Sequence, residues 1–155
     1  MKRIAVLLAS TAALAALSPG GARADNAALT GQVTKWTLRI AGPARNLTTE
    51  VSKASTPDEA LPFLRKFTST AANGAAAISR QQASSARGRK LKLLATRAFT
   101  NYRRAGSLLI SAVLDIKAGK DEASITPKVN DAVRLAGEGS IQLRTAGALI
   151  PWLVR

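Results

Sequence analysis

Leu29, Val33, Trp36, Ile40, Ala44, Leu47 and Val51 recur at steps of three and four along the chain. At about 100° per residue they fall on one narrow face, the pattern of an amphipathic helix with one side turned to a core. The register runs on through Gly42 and Pro43, so one long helix is predicted over about residues 27–54. Pro43 has no N–H for the helical ladder and should kink the helix there or split it in two.

The next segment is punctuated more sharply. Thr56 can cap, Pro57 suits a first helical position, and Glu59 stands where a capping box needs an acid. Leu64, Phe67, Ala71, Ala75 and Ile78 then line one face of a second helix, with Pro62 still in its first turns. Residues 71–77 are small-sided, which lets a neighbouring helix come close, although Gly74 lowers the helix's own stability.

A third helix is predicted from Ser84 or Ser85 to about Ala118, where Gly119 can end it. Leu91, Leu94, Ala95, Ala98, Tyr102, Ala105, Leu109, Ala112, Val113 and Ile116 share its inner face, and beyond Ser107 it is apolar nearly all round. The fourth helix is expected to begin at Thr126 and Pro127, after a solvated loop holding Asp121 and Glu122. Val129, Ala132, Val133, Ala136, Leu143 and Ile150 point inward, while Gly137, Gly139 and Gly147 make the helix lean on its neighbours. No stretch competes with the two-residue period of a strand. Four amphipathic helices on short connections predict an all-α, up-down-up-down four-helix bundle, its first helix kinked near Gly42 and Pro43.

The start of the chain follows another pattern. Lys2 and Arg3 lead into an apolar run over residues 4–17, then a break at Ser18, Pro19, Gly20 and Gly21, then the small-x-small triplet Ala22, Arg23, Ala24. This is the layout of a cleaved secretory signal peptide over residues 1–24, its apolar part too short to span a bilayer comfortably. Residues 25–155 are then expected to form a single helical-bundle domain, large enough to bury a real core. Its expected location is exported: periplasmic, cell-wall-associated or extracellular. The chain has no Cys, so packing must hold the fold, and the alanine-rich composition suggests a bacterial source.

Charge changes the picture most. Cleavage would remove Lys2, Arg3 and Arg23 and leave 20 basic against nine acidic residues. The excess sits in one place: residues 60–114 hold ten Arg and Lys and no acid, and the rest of the mature chain is nearly neutral. On the third helix Arg89, Lys90, Lys92, Arg97, Arg103 and Arg104 spread over the arc opposite the apolar stripe, and Arg80 and Arg87 precede them. A merely solvated face would show the same outward arc. It would also mix signs, because mixed signs gain i,i+4 pairs and avoid self-repulsion. A one-signed face more than a Debye length long is a surface suited to a polyanion.

Catalytic chemistry is not indicated. With no His and no Cys, imidazole bases, thiolate nucleophiles and the usual zinc sites are removed. Asp58 and Glu59 read as first-turn acids, and Asp131 and Glu138 as partners of Arg134. No enzyme activity, cofactor or metal is expected. The expected function is binding of an anionic surface component (wall polymer, lipid headgroups or another polyanion) through Arg80, Arg87, Arg89, Lys90, Lys92, Arg97, Arg103 and Arg104. Few aromatics and no recognition motif argue against sequence-specific nucleic acid. The alternative is an extracytoplasmic protein-interaction or chaperone-like helical module. Trp36 is expected in the core, and Trp152 as a plug over the bundle's open end rather than an exposed contact.

Overall fold

The computed structural model describes residues 24–153, with residues 24, 25 and 44–52 described by backbone alone. Within them are four α-helices packed against one another and no strand. These are α1 (Ala24–Lys53), α2 (Pro57–Ser79), α3 (Ala86–Lys117) and α4 (Glu122–Leu149), and α4 runs into a short 3-10 turn, Ile150–Trp152. The signal peptide expected ahead of α1 lies, apart from Ala24, outside the described residues. So do the side chains of Ala44, Leu47 and Val51, expected on the inner face of α1. No described helix is long and apolar enough to cross a membrane.

Local chemistry accounts for the helix ends. α1 continues as one helix through Pro43. Pro57 opens α2 as the sequence indicates, but the Thr56 side chain makes no cap bond. Glu59 reaches back one residue further instead, its Oε2 accepting the Ser55 N–H at 2.8 Å. Ser85 caps α3, its Oγ accepting the Gly88 N–H at 2.9 Å. At the other end Gly119 takes φ +70°, which a side chain would strain. Its N–H reaches Ile116 O and the Lys120 N–H reaches Asp115 O, both at 3.0 Å, closing α3 with a Schellman motif.

The start of α4 differs from the sequence reading. The helix begins at Glu122, not at Pro127, because Asp121 is its cap: Oδ1 accepts the Ser124 N–H at 3.0 Å. Asp121 and Glu122 therefore belong to the helix terminus rather than to a solvated loop, and a carboxylate there also complements the helix dipole. Pro127 is carried inside the helix as its sixth residue, where it supplies no N–H for the Ala123 carbonyl.

α3 is the central element. It packs along α2 on one flank and α4 on the other, whereas α1 lies chiefly on α2 and only touches α3. Tyr102 stands where the three elements meet. Its ring meets Phe67 of α2 edge to face at 5.8 Å and Phe99 of α3 at 6.3 Å. Its hydroxyl lies 3.0 Å from Ser140 Oγ of α4. Ser140 already donates its one hydroxyl hydrogen to Ala136 O at 3.0 Å, so Tyr102 is the donor of the pair. Burial raises the Tyr102 phenol above its ordinary value, opposed by the Ser140 hydrogen bond.

Small residues let the helices approach this closely. A Cβ at Gly74 of α2 would stand 2.6 Å from the Phe99 ring, and one at Gly139 of α4 would stand 3.1 Å from the backbone oxygen of Ala98. The intrinsic weakness of glycine in α2 and α4 is thus exchanged for contact with α3. Leu135 and Ala146 join the buried stripe of α4, while Val129 and Val133, expected inside, are only half-buried. Trp36 also sits at the core's edge rather than within it, half-buried, with the Arg39 guanidinium 4.8 Å over its ring.

Glycine position predicts opposite outcomes on one helix. Gly137 is exposed with nothing near a would-be Cβ, so Gly137→Ala should stabilise the protein by about 0.5–1 kcal/mol through helix propensity alone. Gly139→Ala should destabilise it by about 1–2 kcal/mol, because the obstructing atom is backbone and overpacking outweighs propensity. Urea unfolding of the two variants checks the contrast.

Candidate anion-binding surface

Because α3 is buried along both flanks, the remaining arc is where most of its Arg and Lys are exposed. Arg87, Arg89, Lys90, Arg97, Arg103 and Arg104 are all exposed, as is Arg80 at the end of α2; Lys92 is half-buried. The helical phase divides the face into two rows. Arg89, Lys92 and Arg103 lie toward α2, where Lys92 Nζ donates to the Gln81 carbonyl at 2.6 Å. Lys90, Arg97 and Arg104 lie toward α4, on the side where Asn101 reaches Glu138 and Gln142 at 3.4 Å. Leu93 sits between the rows, about half exposed. The structure therefore brings six of the eight predicted residues onto one continuous face. Arg80 and Arg87 stand at its end, beside the turn between α2 and α3.

None of the eight forms an ion pair among the described residues. The ion pairs there use Lys117, Lys120, Lys128 and Arg134 instead. Arg134 is held by Glu138 at 2.7 Å and Asp131 at 3.2 Å, as the spacing of those residues suggests, and both raise its pKa, Glu138 the more.

The acids that balance these lysines cluster away from the basic segment. Lys117, in the last turn of α3, binds Asp58, in the first turn of α2, at 2.7 Å. Asp115 is buried near the end of α3 and is held by Lys120 at 2.8 Å and by Lys128 of α4, which also donates to Ser111 Oγ at 2.8 Å. Asp121 and Glu122 follow directly at the start of α4. The start of α3 has no acid in its first turn; it carries Arg87, Arg89 and Lys90 there. Cations at a helix N-terminus oppose the macrodipole, so this placement works against the helix while favouring an incoming anion. The sequence signal was present in the order of charges along α3. In the structure Asp58, Asp115, Asp121 and Glu122 gather at the other end of α3.

Trp152 departs from its expected role. Ile150 and Leu153 are buried and close the bundle end, while Trp152 between them is 57% exposed. The Arg87 guanidinium lies 5.4 Å over its ring. The tail does plug the bundle, but with its aliphatic side chains, because Trp152 falls on the outer side of the 3-10 turn.

A second feature is a shallow apolar groove where α1 faces the last turns of α4. Val33, Thr34, Thr37 and Leu38 form one wall, with Leu143, Gly147 and Ile150 opposite. Thr37 Oγ1 is buried in this wall without a hydrogen-bond partner among the described residues, and Leu38 is 63% exposed at its rim. Periodicity could not reveal the groove, since it depends on the distance between two helices.

The acidic end makes a pH prediction. Hydrogen bonds from Lys120 and Lys128 lower the Asp115 carboxyl below its ordinary value, and Ser124 does the same for Asp121. A lowered folded-state pKa means the unfolded chain takes up protons first, so these groups stabilise the fold above about pH 3.9 and the effect is lost as pH falls through the lower folded values. Asp115→Asn should give a shallower fall in Tm between about pH 5 and pH 2 than the wild type, with Asp121 keeping part of the slope. Parallel acid limbs for the two proteins would contradict this assignment. The chain matches no family model, and comparison with curated proteins and with solved structures returned no match.

Proposed function

We propose that the protein is an exported, non-enzymatic helical bundle that binds an anionic surface component through the basic face of α3. The observation carrying this reading is a row of cations that form no ion pair among the described residues, on a helix whose own first turn is disfavoured by them. An ordinary solvated helix would recover stability by placing acids among these residues. Contacts to backbone-like repeating charge suit it better than base reading, since no aromatic platform interleaves the cations of α3 along the exposed arc.

An up-down-up-down course of the helices, with α1 bent at Pro43, belongs to the same reading. It is supported by Asn26 at the start of α1 bonding Ser85 at the start of α3, by Arg87 beside Trp152, and by Lys117 beside Asp58. In that arrangement the basic and acidic ends are opposite poles of the bundle. Export of a cleaved chain would leave the basic pole facing envelope polymers and lipid headgroups.

A protein-interaction module is the second reading, favoured by the groove between α1 and α4 and by exposed Leu38 and Ile141. Capture of one defined partner from an extracytoplasmic extract at moderate salt, lost on Leu38→Glu, would support it over polyanion binding.

For the main reading, changing Arg89, Lys90, Arg97 and Arg104 to Gln should lower the salt concentration that elutes the protein from heparin. Each residue held near an anionic surface contributes about 1 kcal/mol, or roughly fivefold, at low salt. Lys117→Gln, at the acidic end, should elute with the wild type. Equal elution of the quadruple variant and the wild type would refute the proposal.

A further inference from the structure

Basic side chains alone do not distinguish a soluble polyanion from a lipid surface, but the aromatic beside them does. Trp152 is held outward by two buried neighbours, Ile150 and Leu153, so its exposure is built into the fold and is not that of a loose terminus. Arg87 covers one face of the ring. Pro151 is also exposed, and Arg80, Arg89 and Lys90 stand at the same turn between α2 and α3. The acid at this end of the described chain is Asp25, at the start of α1.

A polymer lying along α3 would need the two rows of cations and would have no use for an indole at the tip. A planar surface would meet the tip first. Indole rings favour the headgroup layer, where an apolar body and a polar N–H are both accommodated, and Arg beside them reaches anionic headgroups while its stem stays in apolar surroundings. We propose that this end of the bundle docks on an anionic phospholipid bilayer, with Trp152 at headgroup depth and Arg80, Arg87, Arg89 and Lys90 on lipid phosphates. The inference rests on the anionic-surface reading above and assigns its partner. The contact is peripheral: the apolar faces of α2, α3 and α4 stay in the core, and the ring reaches only the interface.

Vesicles of mixed phosphatidylglycerol and phosphatidylcholine, compared with phosphatidylcholine alone, provide the test, with heparin retention measured in parallel. The protein should co-sediment with the anionic vesicles only. Trp152 emission, obtained by subtracting the Trp152→Phe variant to remove Trp36, should shift to the blue and become less accessible to acrylamide. Trp152→Ala should bind anionic vesicles at least about fivefold more weakly and elute from heparin with the wild type. Because Trp152 is exposed, far-UV circular dichroism should match the wild type. Arg89→Gln with Lys90→Gln should weaken both vesicle and heparin binding, by about 25-fold for vesicles at low salt. Heparin retention without vesicle binding, or vesicle binding with Trp152 emission unchanged, overturns the lipid assignment and leaves the anionic-surface reading standing. Equal binding to uncharged vesicles overturns it as well. Loss of neither ligand in the Arg89 and Lys90 variant overturns both.

Discussion

The packing of α3 against α2 and α4 together is the constraint on which the rest of the molecule depends. A helix covered along two flanks keeps only one outward arc, and most of its Arg and Lys are placed there, while its one acid, Asp115, is buried. Tyr102 marks how tight the arrangement is. One side chain meets Phe67 on α2 and bonds Ser140 on α4, and glycines at 74 and 139 are what let the neighbouring backbones come so near. The cost of glycine in a helix is offset by close contact, at Gly74 with the Phe99 ring and at Gly139 with the Ala98 backbone.

This arrangement also bears on why the cations on the basic face of α3 form no ion pair among the described residues. Several acids serve helix ends and ion pairs near the start of α2, the end of α3 and the start of α4, where Asp58, Asp115 and Asp121 each have a structural partner. They are committed there. The start of α3 receives none, although a first turn ordinarily favours them. A local rule is broken at one place in the fold, and it is the place where cations and an exposed indole coincide. Such coincidences are what a binding surface requires and what stability alone would remove.

Trp152 illustrates how a terminal segment can do two things. Its neighbours Ile150 and Leu153 seal the bundle end by burial, and that sealing fixes the direction in which Trp152 points. The groove between α1 and α4 has a related origin. α1 leans on α2, so its far flank, rich in Thr, is left facing α4 across an open seam.

Much of the architecture was legible in residue spacing. The three- and four-residue recurrence of apolar positions, Pro57 after Thr56, Ser85 before α3 and Gly119 after it mark elements whose causes are local, so the sequence alone determined four helices, most of their limits and the outward arc of Arg and Lys. Asp121 was misjudged because cap and loop acids look alike until the backbone N–H of Ser124 is in place. The tertiary structure alone decided what depends on distance between elements: that Gly139 touches Ala98, that Asp115 is buried among lysines, that the groove exists, and that Arg87 lies over Trp152. Periodicity fixes the direction of a side chain from its own helix axis. Which neighbour stands in that direction is set by how the helices pack.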